Sequence, residues 1–378
     1  MKNKSRWIIS ILFLILAPFF AIMHQIKGGG PDGSPSVDAL CPFGGLETLP
    51  TLLKSGEYMK RITPSSFIFL IAIIILTIII GKAFCGYICP LGTVQSLINK
   101  LARKLHIKQI QVPSSIDKPL RFVKYITLFV VLFVTYKAGE LILRPYDPWA
   151  AFMHLNTGME IFEEFLIGFT ILIIIFVVSL FIERAWCRYL CPLGAALSIT
   201  SKFRIFKIKR NGNTCINCKA CTRNCPMGLD VHSSDSVSST ECISCGDCIS
   251  SCPVSNTLET KGGKFNLSPI KTSIIVVAVL AIVIGTNIAT ETFKTSLSNV
   301  ETLSENGLLN PDNIKGYMTL NDVSKDFNIP IATILEKCKL PSDTDLNKPI
   351  KDLETDLSEK SIEFDPSTLR EVIKEIIK

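Results

Sequence analysis

Eight cysteines in two near-identical runs constrain this chain more than any other feature. They read Cys215-x2-Cys218-x2-Cys221-x3-Cys225-Pro226 and Cys242-x2-Cys245-x2-Cys248-x3-Cys252-Pro253. Three cysteines spaced this way let one tight loop wrap three corners of a cubic cluster, while the fourth, held before a proline, points away to a second cluster. The spacing predicts two [4Fe–4S] sites: Cys215, Cys218, Cys221 and Cys252 for one, Cys242, Cys245, Cys248 and Cys225 for the other. Each proline removes a backbone donor and ends its local helix. Ala220 and Gly246 are small residues inside the loops, suited to a backbone folding closely around sulfide. Zinc is the competing metal, but structural zinc takes paired CxxC knuckles, not triplets.

The rest of the chain is too apolar for a soluble protein. Of 378 residues, 48% are hydrophobic and only 19% charged, against about 25% charged in ordinary soluble domains. That balance excludes a soluble enzyme, a disordered chain and a small secreted disulfide scaffold. Five apolar runs stand out: Trp7 to Ile26, Ser66 to Ile80, Phe122 to Tyr136, Phe165 to Ile182 and Ile274 to Ala289. The first follows a basic start and shows no small-x-small cleavage site, so it reads as an uncleaved anchor. Several runs are short for a span and would borrow flanking residues such as Lys124, whose ammonium can snorkel.

Charge placement sets an expected orientation. Lys2, Lys4 and Arg6, then Lys82 through Arg121, then Arg184 through Arg210, then Lys261, Lys264 and Lys271 would all face the cytoplasm. The opposite loops hold only Lys27, Lys54, Lys60, Arg61, Lys137 and Arg144. The formal charge of +7 hides a split: from Glu291 onward 11 Lys/Arg face 17 Asp/Glu, and before it 29 face 16. A basic front and an acidic tail argue for two compartments, not for nucleic acid as a partner. Disulfides are not expected on a reducing cytoplasmic face. Val94 to Ile107 is amphipathic, either lying on an anionic leaflet or packed on the helical bundle.

A second cysteine pattern is an internal repeat. Phe84-Cys85-Gly86-Tyr87-Ile88-Cys89-Pro90-Leu91-Gly92 recurs 102 positions later as Trp186-Cys187-Arg188-Tyr189-Leu190-Cys191-Pro192-Leu193-Gly194, each copy at the inner end of an apolar run. Spacing of i and i+4 puts each pair on one helix face, so Cys85, Cys89, Cys187 and Cys191 could converge. They would hold a further Fe–S cluster or another metal, form a redox-active thiol set, or serve as structural small residues.

Two membrane Cys-x3-Cys-Pro motifs followed by a two-cluster ferredoxin module resemble the NapH/NosR-type membrane iron–sulfur (polyferredoxin) family, over roughly residues 1 to 260. The resemblance implies electron transfer between a membrane quinol pool or flavoprotein partner and a redox enzyme outside, with both motif types cytoplasmic. NosR-type members also carry an outer flavin domain with a Ser/Thr-Gly-Ala-Thr attachment motif. No such motif occurs here, so a covalent flavin is not expected.

Weaker signals remain. Cys41-Pro42-Phe43-Gly44-Gly45 suggests a tight outer turn; Cys41 is either a redox or metal-ligating residue or an inert loop cysteine, with a Cys41–Cys338 disulfide also conceivable. Cys338 reads better as a buried helix residue. Arg144-Pro145-Tyr146-Asp147-Pro148-Trp149 would suit a quinol head group or plain interfacial anchoring. His24 and His154 share the outer side, but no paired-helix pattern supports haem. In the tail, Thr319 or Asn321 could cap a helix and Pro330 open the next.

The expected fold is a mainly α membrane protein: about five transmembrane helices in two pseudo-repeated hairpins plus one, a cytoplasmic bacterial-type 2[4Fe–4S] ferredoxin module and a small outer helical domain. The expected boundaries are 1–210 for the four-helix membrane domain, 211–260 for the ferredoxin, 267–290 for the fifth span and 291–378 for linker and outer domain. The expected function is electron transfer as a component of a redox complex, with no catalytic residues of its own. A redox-sensing or maturation protein is the rival, and a transporter ranks last because no charge marks a path deep in the spans.

Overall fold

Gly81, whose N–H bonds back to the Thr77 carbonyl at 2.8 Å, ends one apolar helix and starts the motif that organises the molecule. The computed structural model describes residues 3–27, 34, 41–55, 62–138, 141–155, 165–290, 292, 311, 314, 316, 318–341, 344–359 and 364–377. These are mainly helical. The chain divides into two compact units, one of Met1–Gln25 with Pro35–Thr295, the other of Ile26–Ser34 with Ser296–Lys378.

The first unit opens with α1 (Lys4–Lys27) and α2 (Pro42–Ser55), then builds the repeat. Its first copy is α3 (Pro64–Ile80), the short α4 (Ala83–Tyr87) and α5 (Pro90–Lys104). After α6 (Ser114–Leu120), α7 (Val123–Ala138) and α8 (Pro148–Met153) comes the second copy: α9 (Leu166–Phe181), α10 (Ala185–Tyr189) and α11 (Pro192–Ser201). Shifted by 102 residues, the short helices coincide end to end and both following helices start at the proline. That proline sits at N1, where its missing N–H costs nothing and its fixed φ suits the helix. The copies interlock: α3 packs against α11 and α9 against α5.

Among the described residues, three helical stretches are long and apolar enough to cross a membrane: Lys4–Ile26, Ser114–Ala138 and Pro269–Ala289. Helices α3 and α9 are as apolar but have 17 and 16 residues, about 25 Å against a hydrocarbon core of about 30 Å. Large apolar side chains point outward along these helices, among them Ile8, Ile75, Phe129, Phe133, Ile174 and Val277. On α5 the apolar Leu97 and Leu101, like Leu105 at its C-cap, also face outward, while Gln95, Ser96 and Asn99 are buried. Its polar stripe packs inward, where Asn99 donates to the Ser179 carbonyl of α9 at 3.0 Å.

Two sequence expectations are corrected here. Lys124 does not snorkel: it is fully buried and ion-paired to Glu241. Cys41-Pro42-Phe43-Gly44-Gly45 is not a tight turn, because Pro42 begins α2 and the glycines lie in its first turns. A Cβ on Gly45 would stand 2.7 Å from the Ser66 carbonyl oxygen, so the missing side chain lets α2 approach α3 closely.

From α11 the chain enters a three-stranded antiparallel sheet of β1 (Lys207–Arg210), β2 (Leu258–Gly262) and β3 (Phe265–Leu267), in that order. Between β1 and β2 lie both cysteine runs, with the short helices α12 (Ala220–Arg223) and α13 (Asp247–Ser251). From β3 the chain passes through Ser268, the N-cap, into α14 (Pro269–Ala289), which packs on α3.

The second unit holds α15 (Leu320–Asp326), α16 (Ile331–Lys337), α17 (Ile350–Glu359) and α18 (Pro366–Ile377) around one apolar core. A Thr319/Asp322 capping box starts α15, as Thr319 suggested, and Pro330 caps α16. This unit contains a repeat of its own at an offset of 30. Leu320, Val323 and Phe327 of the first half correspond to Ile350, Leu353 and Leu357 of the second, and Thr319 pairs with Pro349 in an antiparallel bridge. The linker expected before residue 314 lies almost wholly outside the described residues.

Candidate iron–sulfur centre

The two cysteine runs fold as a pair. In the first, Asn217 and Lys219 have positive φ (+55° and +57°); in the second, Ser244 and Gly246 do (+51° and +71°), at the same positions after the leading cysteine. Alternating handedness of this kind turns successive backbone N–H groups to one side and makes a concave cradle for an anion. Lys219, not Ala220, is therefore the counterpart of Gly246, and it adopts the left-handed conformation despite its side chain.

Each loop surrounds a hollow. Cys215, Cys218, Cys221 and Cys252 line the first, beside Arg210, Lys219 and His232. Cys225, Cys242, Cys245 and Cys248 line the second, among Ile208, Leu229, Val231 and Val237. The fourth cysteine of each run thus stands with the other run's triplet. Among the described residues no three His, Cys, Asp or Glu side chains close tightly enough to hold a single metal ion. Four cysteines spread around each hollow fit a polynuclear cluster.

The hollows differ in their surroundings. Residues 211–214 and 216–219 around the first are exposed, and Cys218 lies open to solvent. The Asn217 backbone and the Arg210 side chain hold Cys215 below the ordinary thiol value. Around the second hollow, Cys242, Cys245 and Cys248 are buried, and burial pushes the Cys225 thiol up to about 12. The Leu229 N–H donates to Cys225 Sγ at 3.4 Å. A metal must displace such protons before a thiolate can bind.

The second hollow sits against the repeat. Gly86, inside the first membrane motif, leaves no room for a Cβ, which would collide with the Ile243 carbonyl oxygen and lie 3.7 Å from Cys245 Cα. Cys85 packs on the same core as Cys242, Cys245 and Cys248. At the equivalent place in the second motif stands Arg188, whose guanidinium covers Gly228, three residues after Cys225, and donates to Asp117 at 2.7 Å. The pseudo-symmetry is broken where the cysteine module docks.

Buried ions fasten this junction. Asn3 donates to the Cys245 carbonyl at 3.0 Å; Arg6 donates to the Gly86 carbonyl at 2.9 Å and pairs with Asp247. Glu241, just before Cys242, pairs with Lys82 at 2.9 Å and with Lys124. Burial works to raise the Glu241 carboxyl, but the two ammonium groups outweigh it and hold it below the carboxylate range. Ser244 donates to the Ile80 carbonyl at 2.6 Å, Arg204 to that of Ser239 at 2.8 Å, and Arg121 to that of Met227 at 2.7 Å.

The four cysteines of the repeat are neighbours. Cys85 and Cys187 lie on α4 and α10, and Cys89 and Cys191 cap the N-termini of α5 and α11. Cys191 Sγ accepts the Gly194 N–H at 3.3 Å, and Gln95 Nε2 donates to Cys187 Sγ at 3.5 Å. Cys89 and Cys191 thus stand at helix N-termini, where negative charge on sulfur is favoured, and the Cys191 side chain caps its helix. Burial opposes it, pushing Cys85 up to about 11 and Cys89 up to about 12. Cys338 is buried at the end of α16. His154 stacks on Phe165 at 4.7 Å, its Nδ1 2.8 Å from the Ala150 carbonyl oxygen.

Two family models cover the repeat and the cysteine module. Residues 62–108 and 165–211, the two copies of the repeat, match the 4Fe-4S binding domain family, and residues 207–253 match the 4Fe-4S dicluster domain family. The chain is 34% identical over 228 residues to the putative electron transport protein YccM of Escherichia coli, covering 59% of this chain and 62% of that protein. It is 30% identical over 231 residues to the ferredoxin-type protein NapH of Haemophilus influenzae, covering 58% and 71%. It is 34% identical over 159 residues to the regulatory protein NosR of Pseudomonas aeruginosa, covering 42% and 22%. The chain thus spans less than two thirds of the YccM relative and about a fifth of the NosR relative. No solved structure matches the chain.

Proposed function

Because the chain belongs to the NapH/NosR-type family of membrane 4Fe–4S electron-transfer proteins, we propose that it carries electrons between a cytoplasmic donor or the quinol pool and a redox partner, through the cysteines of its ferredoxin module and repeat. Cys215, Cys218, Cys221 and Cys252 hold one [4Fe–4S] cluster, Cys242, Cys245, Cys248 and Cys225 the second, and Cys85, Cys89, Cys187 and Cys191 a further metal centre. Bound clusters supply one-electron chemistry in which no bond to the partner is made or broken. The chain's part is to order the sites. The exposed loop around Cys218 meets the soluble partner, the buried loop around Cys245 excludes water, and the contact of Gly86 with Ile243 brings that loop onto the repeat. This contact is the observation that carries the reading.

The proposed topology has five spans. Helices α3 and α9 complete the bundle by drawing on flanking residues, with the cysteine module cytoplasmic and the second unit outside. The lysine and arginine distribution supports that sidedness. The second unit, four helices around an apolar core of its own, is read as a docking element.

The test is reoxidation of the dithionite-reduced protein in membranes by added quinone. Electron transfer predicts reoxidation in wild type and its loss in Cys245→Ala; no quinone response in wild type would remove the quinol branch. A sensing role, which the regulatory name of one relative favours, predicts that Cys218→Ala alters the expression or assembly of the partner. Electron transfer predicts a fully assembled partner starved of electrons.

A further inference from the structure

Two buried cations occupy equivalent places in the repeats, and only one of them has a carboxylate. Lys82 and Arg184, 102 residues apart, cap the N-termini of α4 and α10. Each crosses to the other copy for a serine, and the serines are related by the same offset. Lys82 Nζ donates to Ser198 Oγ at 2.9 Å, and Arg184 Nε to Ser96 Oγ at 2.8 Å. Lys82 is then ion-paired to Glu241, a carboxylate it shares with Lys124.

Arg184 is 0% exposed. Its Nη1 donates to the Cys85 carbonyl at 2.5 Å, and its Nη2 has no hydrogen-bond partner. Glu183, its neighbour in sequence, pairs with Arg103 at 3.1 Å, and no carboxylate among the described residues forms an ion pair with Arg184. The backbone at Arg184 is left-handed, φ +56°, a conformation that carries a cost for a residue with a side chain. Gly92 keeps its path clear, since a Cβ there would stand 2.9 Å from Nη1.

A buried, unpaired cation costs several kcal/mol unless a negative charge lies beside it. Glu183 also acts on Arg184 but is ion-paired to Arg103, and the other groups beside Arg184 that can supply a negative charge are the thiols of the repeat, Cys85 and Cys89 among them. Four thiolates around a [2Fe–2S] or a [4Fe–4S] core leave a net negative centre, more negative still after one-electron reduction. We propose that Arg184 is the built-in counter-ion of a negatively charged metal–thiolate centre held by Cys85, Cys89, Cys187 and Cys191, stabilising its reduced form above its oxidised form. This rests on the reading of those four cysteines as ligands. Lys82 of the first copy shares the Glu241 carboxylate with Lys124, whereas Arg184 has no ion-paired carboxylate among the described residues and donates directly to the Cys85 carbonyl.

The experiment compares wild type with Arg184→Gln, Arg184→Lys and Ser96→Ala, purified anaerobically in detergent. Iron and sulfide per chain are measured, and each reduced paramagnetic signal is followed through a redox titration. Wild type should hold more than the roughly eight irons of two cubic clusters. In Arg184→Gln the extra iron should be lost or its signal should titrate at lower potential, with the ferredoxin signals unmoved. Arg184→Lys should restore the wild-type behaviour in large part, and Ser96→Ala, which keeps the charge but loosens its aim, should shift the signal in the same direction by less. Wild type with only about eight irons overturns the ligand reading and the inference with it. Extra iron whose amount and potential are unchanged in Arg184→Gln overturns the counter-ion role alone.

Discussion

Lys82, on the turn between an apolar helix and the first membrane motif, is ion-paired at 2.9 Å to Glu241, the residue immediately before Cys242. Lys124 closes on the other oxygen of the same carboxylate, and Ser198 bridges Lys82 to it. One buried acid thus ties the first copy of the repeat, the second copy and helix α7 to the second cysteine loop. Glu241→Gln would leave two buried ammonium groups sharing no charge, and the expected loss is roughly 3–5 kcal/mol. Thermal unfolding in detergent checks this; a change under about 1 kcal/mol would mean that the pair is solvated, as surface pairs are.

The contact of Gly86 with the Ile243 carbonyl is backbone against backbone, so neither side can yield by turning a rotamer. Gly86→Ala should lift the second cysteine loop from the repeat, at an overpacking cost of about 1–3 kcal/mol, and slow reoxidation by quinone while iron content holds. Gly285→Ala on α14 is the control, because a Cβ there meets nothing within 4 Å. Equal rates in the two variants would argue against electron flow through this contact.

How far the sequence could be read follows from what each residue type signals. The eight-cysteine spacing and the 102-residue repeat are local patterns with a chemical reason for every position, and both were legible. The ions at the junction were not. Arg6, Lys82, Arg184 and Arg204 look in sequence like ordinary topogenic charges beside apolar runs, yet all four are buried. Their partners, Glu241, Asp247 and several backbone carbonyls, are set by docking of distant segments, which leaves no trace in spacing. Lys219 hid its left-handed conformation because only glycine advertises one. The 30-residue repeat of the second unit was missed because Leu320 and Val323 recur as Ile350 and Leu353, keeping the apolar positions but not the identities.

The second unit offers a pH test away from any metal. The Thr368 hydroxyl and backbone N–H hold Asp365 below the usual carboxylate range, both donating to its Oδ1, at 2.6 and 2.7 Å. A carboxyl depressed in the folded state adds stability above its unfolded pKa, and that stability is lost as pH falls through the folded value. Helix α18 should therefore loosen only below about pH 4. Asp365→Ala should cost about 1 kcal/mol at neutral pH and remove the acid dependence. Hydrogen exchange across Pro366–Ile377 in the full chain reads both; identical acid profiles for wild type and variant would show that the cap contributes nothing.

Exposure of the first hollow and burial of the second predict the order in which iron is lost. A hydrophilic ferrous chelator under mild oxidation should first remove the iron proposed at Cys215, Cys218, Cys221 and Cys252, because residues 216–219 are open to solvent. Iron at the second hollow should leave later, since Cys242, Cys245 and Cys248 are buried. Arg6 guards that second site by donating to the Gly86 carbonyl and pairing with Asp247 inside the loop. Arg6→Ala removes bonds to one neutral and one charged acceptor, a loss of about 2–3 kcal/mol, which should let water reach the loop and merge the two phases of iron release into one. Two well-separated phases in Arg6→Ala, unchanged from wild type, would mean that the apolar wall of Ile208, Leu229, Val231 and Val237 protects the second site without it.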